Sequence, residues 1–404
     1  MGHYTYIENG SITDVQGIKA AGIHCGLKKK RKDLALIYSE LPADAAGTFT
    51  LNKVKAPPLI YSQKLITSKK KVKAVLINSG NANAATGKQG FDNAVKSAEL
   101  IANKLNISPE ETLVSSTGVI GKQMDMEVLS KGISEIVPQL TNNGGIEAAE
   151  AIMTTDTFKK HFALKINFDD GSTANIGGIC KGSGMIMPNM ATMLAFIATD
   201  LIIPQELLQS ILSKCVSNSF NKISVDGETS TNDMVILLAN GASGIAIEDD
   251  VDKLNLFEDA LQDLTKKMAK SIISDGEGAT KVVRVQILNA KDKDSADKAA
   301  KAVVNSPLVK TAIAGADANW GRILSAIGNS GIQFNPDSAE IYFDNLKILE
   351  SGYRSYFSEE EAKNILDKKE FTISIDLHEG NEQTEWWTTD FTEEYIKINA
   401  YYRT

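Results

Sequence analysis

A threonine hydroxyl becomes a nucleophile only when something takes its proton, and Thr192 stands where the chain could supply that base itself. It follows Lys181-Gly-Ser-Gly-Met-Ile-Met-Pro-Asn-Met-Ala191, a Gly-rich, Pro-containing turn that leads directly into the hydrophobic run Thr192-Met-Leu-Ala-Phe196. Imidazole bases are scarce, since the chain holds only His3, His24, His161 and His378. A free α-amino group has a pKa of about 7.7–8.0 and is uncharged often enough near neutral pH to accept the hydroxyl proton. Exposing that amine requires a cut between Ala191 and Thr192. The Thr192 hydroxyl can make it by attacking the Ala191 carbonyl, giving an ester that water hydrolyses, and the small side chain of Ala191 keeps that carbonyl accessible. Taken alone, the stretch reads more readily as a Gly/Pro loop entering a core strand, with its methionines as packing filler.

Other chemistries find less support. Cys180 beside Lys181 invites a thiolate reading, but a buried cysteine ending a strand over 173–180 accounts for it, and no histidine is near in sequence. Cys25, Cys180 and Cys215 are too far apart for a paired zinc or disulfide spacing, which suits a reducing cytoplasm. Four scattered histidines suggest no metal site. The Walker pattern fails around Gly121-Lys122, and no dinucleotide glycine motif follows a strand.

Strand and helix patterns alternate throughout, so the elements that must hold such a site form a mixed α/β fold. Lys73 to Ile77 reads as a buried strand that runs into the turn-rich segment Asn78-Ser-Gly-Asn-Ala-Asn83. Phe91, Val95, Ala98, Ala102 and Leu105 recur at helical spacing, as do Leu207, Leu208, Ile211, Leu212 and Cys215 after Pro204. Phe162, Leu164, Ile166 and Phe168 alternate as one face of a strand, as do Phe371, Ile373, Ile375 and Leu377. A helix over 257–270 ends in Asp275-Gly-Glu-Gly-Ala-Thr280, after which Val283, Val285 and Ile287 alternate as another strand. The expected architecture is layered sheets and helices with the site between layers.

With 404 residues, 43% of them apolar, the chain can bury one large core or several ordinary ones. Its 43 basic against 51 acidic residues give a net charge of −8, without the broad positive footprint of a nucleic-acid binder. The basic runs at 28–32 and 69–71 read as solvated turns. No stretch reaches the roughly 18 apolar residues of a membrane span, and the N-terminus lacks an export signal.

The segment from Lys181-Gly-Ser-Gly-Met through Met190-Ala-Thr-Met-Leu194 resembles the self-cleavage segment of the ornithine acetyltransferase family, the glutamate N-acetyltransferases of arginine biosynthesis. The resemblance extends over the chain through Gly17–Gly22, Ala46–Thr50, Asn78–Asn83, Ser116–Gly121, Ile152–Thr157, Val225–Asp233, Asp317–Arg322 and Ile398–Thr404. Many motifs in one order are far more specific than any single glycine pattern.

This resemblance implies a layered α/β fold shared with the amino-terminal-nucleophile aminopeptidases, with a smaller C-terminal subdomain. It implies an α fragment, 1–191, carrying the oxyanion hole, and a β fragment, 192–404, starting with the nucleophile and returning its C-terminus to the site. Thr192 would take acetyl from N-acetylornithine and pass it to glutamate in a ping-pong sequence. The oxyanion donors would be the Thr117 hydroxyl and the Gly118 N–H, where the missing Cβ allows close approach to substrate. Substrate would be bound by Lys181, pairing with a carboxylate, and by Thr155, Thr192, Glu277, Asn399 and Thr404, with Thr154 an alternative to Thr155. No cofactor is implied, although acetyl-CoA could serve as a second acetyl donor. The expected assembly is two α and two β fragments.

Three departures from the family pattern touch local loop shape: Tyr401 stands for an acidic residue, Ala318 for a proline, and Thr388-Thr389 for Gly-Cys. Two rival readings remain open on the residues, a hydrolase of the same nucleophile class and an uncut small-molecule binding protein.

Overall fold

The computed structural model describes residues 2–187 and 193–401, so Ala191, Thr192 and Thr404 lie outside the described residues. The chain forms two compact units, Met1–Asn221 with Glu228–Ile272, and Lys222–Gly227 with Ile273–Thr404.

The first unit contains strands β1 (His3–Tyr6), β2 (Ile18–Ile23), β3 (Leu34–Phe49), β4 (Val72–Asn81), β5 (Thr112–Val119), β6 (Lys160–Asn167), β7 (Thr173–Lys181) and β8 (Leu194–Thr199). The short β9 (Ile223–Ser224) belongs to the second unit, and β10 (Met234–Ala239) returns to the first. The helices of the first unit are α1 (Pro57–Thr67), α2 (Gly87–Leu105), α3 (Met126–Ile136), α4 (Gly145–Ala151), α5 (Gln205–Ser217) and most of α6 (Val251–Ser274).

Strand β3 joins two sheets. Its first half pairs with β2 and β4, with β5 outside β4, and its second half pairs with β10 in the order β1-β6-β7-β8-β10-β3. Pro42, which cannot donate to a ladder, lies in the register break between Tyr38 and Ala43 where the strand changes sheets. Neighbouring residues of β3 and β4 enter different cores. Leu34, Leu36, Ala74 and Leu76 pack with α2 and α3, whereas Ala35, Ile37, Val75 and Ile77 pack with Ile179, Phe196 and Ile236 of the other sheet. Burial on both faces is why Val72 to Ile77 reads as a run and does not alternate. Beyond the second sheet, α6 closes on β7, where a Cβ on Gly178 would lie 2.9 Å from Met268 Cε. Strand β8, just past the expected cut, is held between antiparallel β7 and parallel β10.

The second unit is smaller. Strands β11 (Val282–Ala290), β12 (Glu340–Phe343), β13 (Leu346–Leu349), β14 (Glu370–Asp376) and β15 (Glu382–Thr389) form with β9 a sheet ordered β13-β12-β14-β11-β15-β9. Its helices are α7 (Lys293–Val304), α8 (Pro307–Ala314), α9 (Trp320–Gly328), α10 (Glu359–Leu366) and the C-terminal α11 (Glu393–Ala400). Val283, Val285, Ile287, Phe371, Ile373 and Ile375 point into one core against α7 to α10, as their alternation predicts. The layered α/β class and the smaller C-terminal unit are therefore as expected. Helix α6 is longer than the expected 257–270, and Pro204 precedes the first residue of α5 as its N-cap instead of lying inside the first turn.

Candidate functional site

The expected oxyanion donors end β5. Ser79 pairs with Thr117 and Gly80 with Gly118 across parallel β4 and β5, until the register breaks at Asn81. Gly118 has φ +128°, and a Cβ there would stand 2.5 Å from the Gly80 carbonyl carbon and 2.6 Å from the Asn81 nitrogen. The chain next to it, in addition to any substrate, therefore demands glycine at 118. Thr117 is buried, and its hydroxyl has no hydrogen-bond partner among the described residues.

A polar lattice fixes these strand ends. Asn78 Nδ2 donates to Asn81 O at 2.8 Å and Ser116 Oγ to Asn78 Oδ1 at 2.6 Å. Asn232 Nδ2 donates to both Ala82 O (2.7 Å) and Ser116 O (2.8 Å), linking the loop before β10 to the turn after β4 and the end of β5. Its neighbour Asp233 accepts the Met193 N–H through Oδ1 at 3.0 Å, which anchors the first described residue after the expected cut. Asp233 is fully buried. Burial drives its carboxyl well above the ordinary range, while the Met193 amide, Lys181 and Ser230 pull it the other way.

Lys181, at the end of β7, is only 2% exposed. Its charge acts on Asp156, whose Oδ1 accepts from Lys160 Nζ and from Gly182 N, each at 2.8 Å, and whose Oδ2 accepts from Thr154 N at 3.0 Å. One carboxylate thus holds both the turn bearing Thr154 and Thr155 and the residue after Lys181. Burial raises the Asp156 pKa, but Lys181, Lys160 and the amides outweigh it and bring it down to about 2. Thr155 is half-buried in that turn, so the structure brings Thr155 and Lys181 together around Asp156.

In the second unit, Glu277 is 8% exposed and accepts from Asn399 Nδ2 at 2.9 Å. The loop before β11 is fastened to the start of α11. Thr392 Oγ1 donates to Gly278 O at 2.6 Å, and a Cβ on Gly278 (φ +69°) would come within 2.5 Å of Tyr395 N. Glu277 and Asn399, 122 positions apart, are therefore direct neighbours.

Sequence alone assigns no role to Asp156, Asn232 or Asp233, although each lies inside a family-like motif. Their work is on backbone amides and carbonyls, which leaves no spacing signature; a lone acid between threonines and a lysine four residues on was the available hint for Asp156. Cys180 is buried and its thiol is pushed up to about 12 by burial, in keeping with a structural cysteine. A cleft of about 850 Å³ in the second unit, lined by Arg284, Gln286, Asp344 and Lys368 among others, contains none of the expected residues.

The ArgJ family model matches residues 19–404. The chain belongs to the ArgJ family. A relative from Thermotoga neapolitana, named arginine biosynthesis bifunctional protein ArgJ, is 47% identical over 395 residues, covering 96% of this chain and 99% of its own. One of the same name from Caldanaerobacter subterraneus is 45% identical over 403 residues, covering 98% of this chain and 100% of its own. Among solved structures, ArgJ of Bacillus halodurans is 43% identical with a TM-score of 0.45, covering 47% of this chain and 100% of its own. Ornithine acetyltransferase of Mycobacterium tuberculosis, solved with ornithine, is 36% identical with a TM-score of 0.42, covering 46% of this chain and 98% of its own. Like its ArgJ relatives, the chain is a biosynthetic enzyme, and among its described residues no helix is long and apolar enough to cross a membrane.

Proposed function

We propose that this ArgJ-family enzyme cuts itself between Ala191 and Thr192 and then moves acetyl from N-acetylornithine to glutamate through an ester on Thr192. In the first step the Thr192 hydroxyl attacks the Ala191 carbonyl, its proton passing to the departing nitrogen, and water hydrolyses the resulting ester. The freed α-amine, with a pKa of about 7.7–8.0, then accepts the hydroxyl proton as Thr192 attacks the acetyl carbonyl. Ornithine leaves with that proton, and the glutamate amine takes the acetyl group from the ester and restores the hydroxyl. Each addition places negative charge on the carbonyl oxygen, which the Thr117 hydroxyl and Gly118 N–H receive.

Lys181 pairs with a substrate carboxylate and Thr155 assists it. Glu277, with Asn399 beside it, takes the ornithine side-chain amine, and Thr404 completes the substrate contacts. The reaction requires no cofactor. Acetyl-CoA is a second donor that would load the same ester, which accords with the word bifunctional in the relatives' names. The working form is two α fragments (1–191) and two β fragments (192–404) in the cytoplasm.

The observation that carries this reading is family membership over nearly the whole chain, at 47% identity to a named relative, with the cleavage segment intact in sequence. The hydroxyl of Thr117, left without a partner among the described residues, supports the oxyanion role. Incubation with N-acetylornithine alone should leave one acetyl group on the fragment beginning at Thr192, and glutamate should then remove it as N-acetylglutamate. Release of acetate without acetylglutamate would instead identify a hydrolase.

A further inference from the structure

The basic run 28–32 reads as solvated in sequence, yet its first member is different. Lys29 and Lys30 are exposed, Arg31 is exposed but reaches the Thr154 and Asp156 carbonyls at 3.4 Å each, Lys32 is half-buried beside Glu150 at 3.3 Å, and Lys28 is half-buried. Its place is built by Asp33, a fully buried carboxylate that accepts from Cys25 N (2.7 Å), Gly26 N (3.1 Å) and Lys28 N (2.8 Å), so the loop after β2 winds around one acid. The Lys28 stem crosses the end of β4, the strand beside the one that carries the oxyanion residues: a Cβ on Gly80, the pairing partner of Gly118, would lie 2.8 Å from Lys28 Cγ. The ammonium then donates to Lys32 O at 2.8 Å and to Met153 O at 2.7 Å, just before the Thr154–Asp156 turn. An ammonium has three N–H donors. The third has no partner among the described residues.

Charge points the same way. Arg31 and Lys181 push against the Lys28 cation, and Asp33 and Asp156 support it. Both acids are already engaged, Asp33 with three loop amides and Asp156 with Lys160 and two amides. Burial, offset only in part by those acids, lowers the Lys28 pKa to about 8. The corner therefore gathers three cations, Lys28, Arg31 and Lys181, around two acids.

We infer that Lys28 is a substrate-binding residue, which with Lys181 forms a two-cation site for a carboxylate of the amino-acid substrate. This rests on the acetyl-transfer reading above and adds a specificity residue to it. A bound carboxylate stabilises the charged form of Lys28, so affinity is full below about pH 8 and falls as Lys28 deprotonates above it.

The test compares mature wild-type enzyme with Lys28→Met, Lys28→Arg and, as control, Lys30→Met, in the glutamate-dependent step and in calorimetric binding of glutarate, a dicarboxylate with no amine. Loss of one charge-assisted hydrogen bond should raise the KM for glutamate about 10–100-fold in Lys28→Met, with kcat within about threefold of wild type. Lys30→Met should leave both unchanged. Glutarate should bind wild type progressively more weakly above about pH 8, with proton uptake, whereas Lys28→Arg should show no such fall. A wild-type KM in Lys28→Met, or the same alkaline loss of glutarate binding in wild type and Lys28→Arg, overturns the inference. Should Lys28→Met not fold, the Lys28→Arg comparison decides. Should wild type transfer no acetyl at all, the reading of the activity fails, and the glutarate titration still decides the role of Lys28.

Discussion

Asp156 offers the sharpest energetic test of the frame around Lys181. The perturbation is Asp156→Asn, which keeps the shape and removes the charge that faces Lys160, a side chain with no solvent exposure 2.8 Å away. The fall of the Asp156 pKa from 3.8 to about 2 corresponds to about 2 kcal/mol of folded-state preference for the ionised form. Breaking a buried ion pair from one side costs about 3–5 kcal/mol, because the remaining charge is left desolvated. Together these place the loss at roughly 3 kcal/mol at neutral pH. The sign follows from the direction of the shift. The folded pKa is depressed, so the contribution is complete above the unfolded value of 3.8 and is lost as pH falls through about 2. The assay is urea unfolding followed by far-UV circular dichroism, since Trp320, Trp386 and Trp387 all lie in the second unit and would not report on Asp156. Asp156→Asn should unfold at a distinctly lower urea midpoint, and Asp156→Asn with Lys160→Met should recover part of the loss, since it removes one of the two buried cations, Lys160 and Lys181, that the carboxylate faces. A single variant within about 0.5 kcal/mol of wild type, or a double variant as weak as the single one, would refute the reasoning.

Other outcomes follow from the same geometry. Thr117→Val should keep the fold and lower kcat about 10²–10³-fold, the usual cost of one oxyanion donor; a loss under threefold would remove Thr117 from that role. Gly118→Ala should fail in both processing and transfer, because its Cβ would collide with the backbone at Gly80 and Asn81 and φ +128° excludes alanine; a soluble variant with normal melting would contradict this. In the second unit, Lys310 is buried and donates to Thr388 Oγ1 at 2.8 Å, Thr389 Oγ1 at 3.1 Å and the Thr389 carbonyl. Burial lowers its pKa from 10.5 to about 7 despite Asp390 and Asp226, so the folded state binds fewer protons than the unfolded one between those values. Stability read by tryptophan fluorescence should therefore rise by roughly 3–5 kcal/mol across that window and lose the slope in Lys310→Met; equal slopes would count against it.

What sequence made legible was whatever periodicity or local motif encodes. The alternation of β6, β11 and β14 and the stripes of α2 and α5 all appear where expected. Long-range partnership was not legible. Nothing in spacing brings Glu277 beside Asn399, Asn232 beside Ser116, or Asp233 onto the Met193 amide, because β-pairing joins them only after distant strands meet. Lys28 was hidden for a different reason: within a run of basic residues, type alone does not separate the one whose stem a glycine admits from its neighbours. The Thr388-Thr389 departure from the family pattern also gained meaning only in three dimensions, where both hydroxyls take up the Lys310 ammonium.

The central claim is that residue 192 becomes a chain start whose own amine activates its hydroxyl. Intact mass and amino-terminal sequencing of purified wild type and Thr192→Ala test it most directly. The account predicts two wild-type fragments, one beginning Thr-Met-Leu-Ala, and a single uncut, inactive chain for the variant. A wild-type enzyme that transfers acetyl at full rate as one unbroken chain would contradict it.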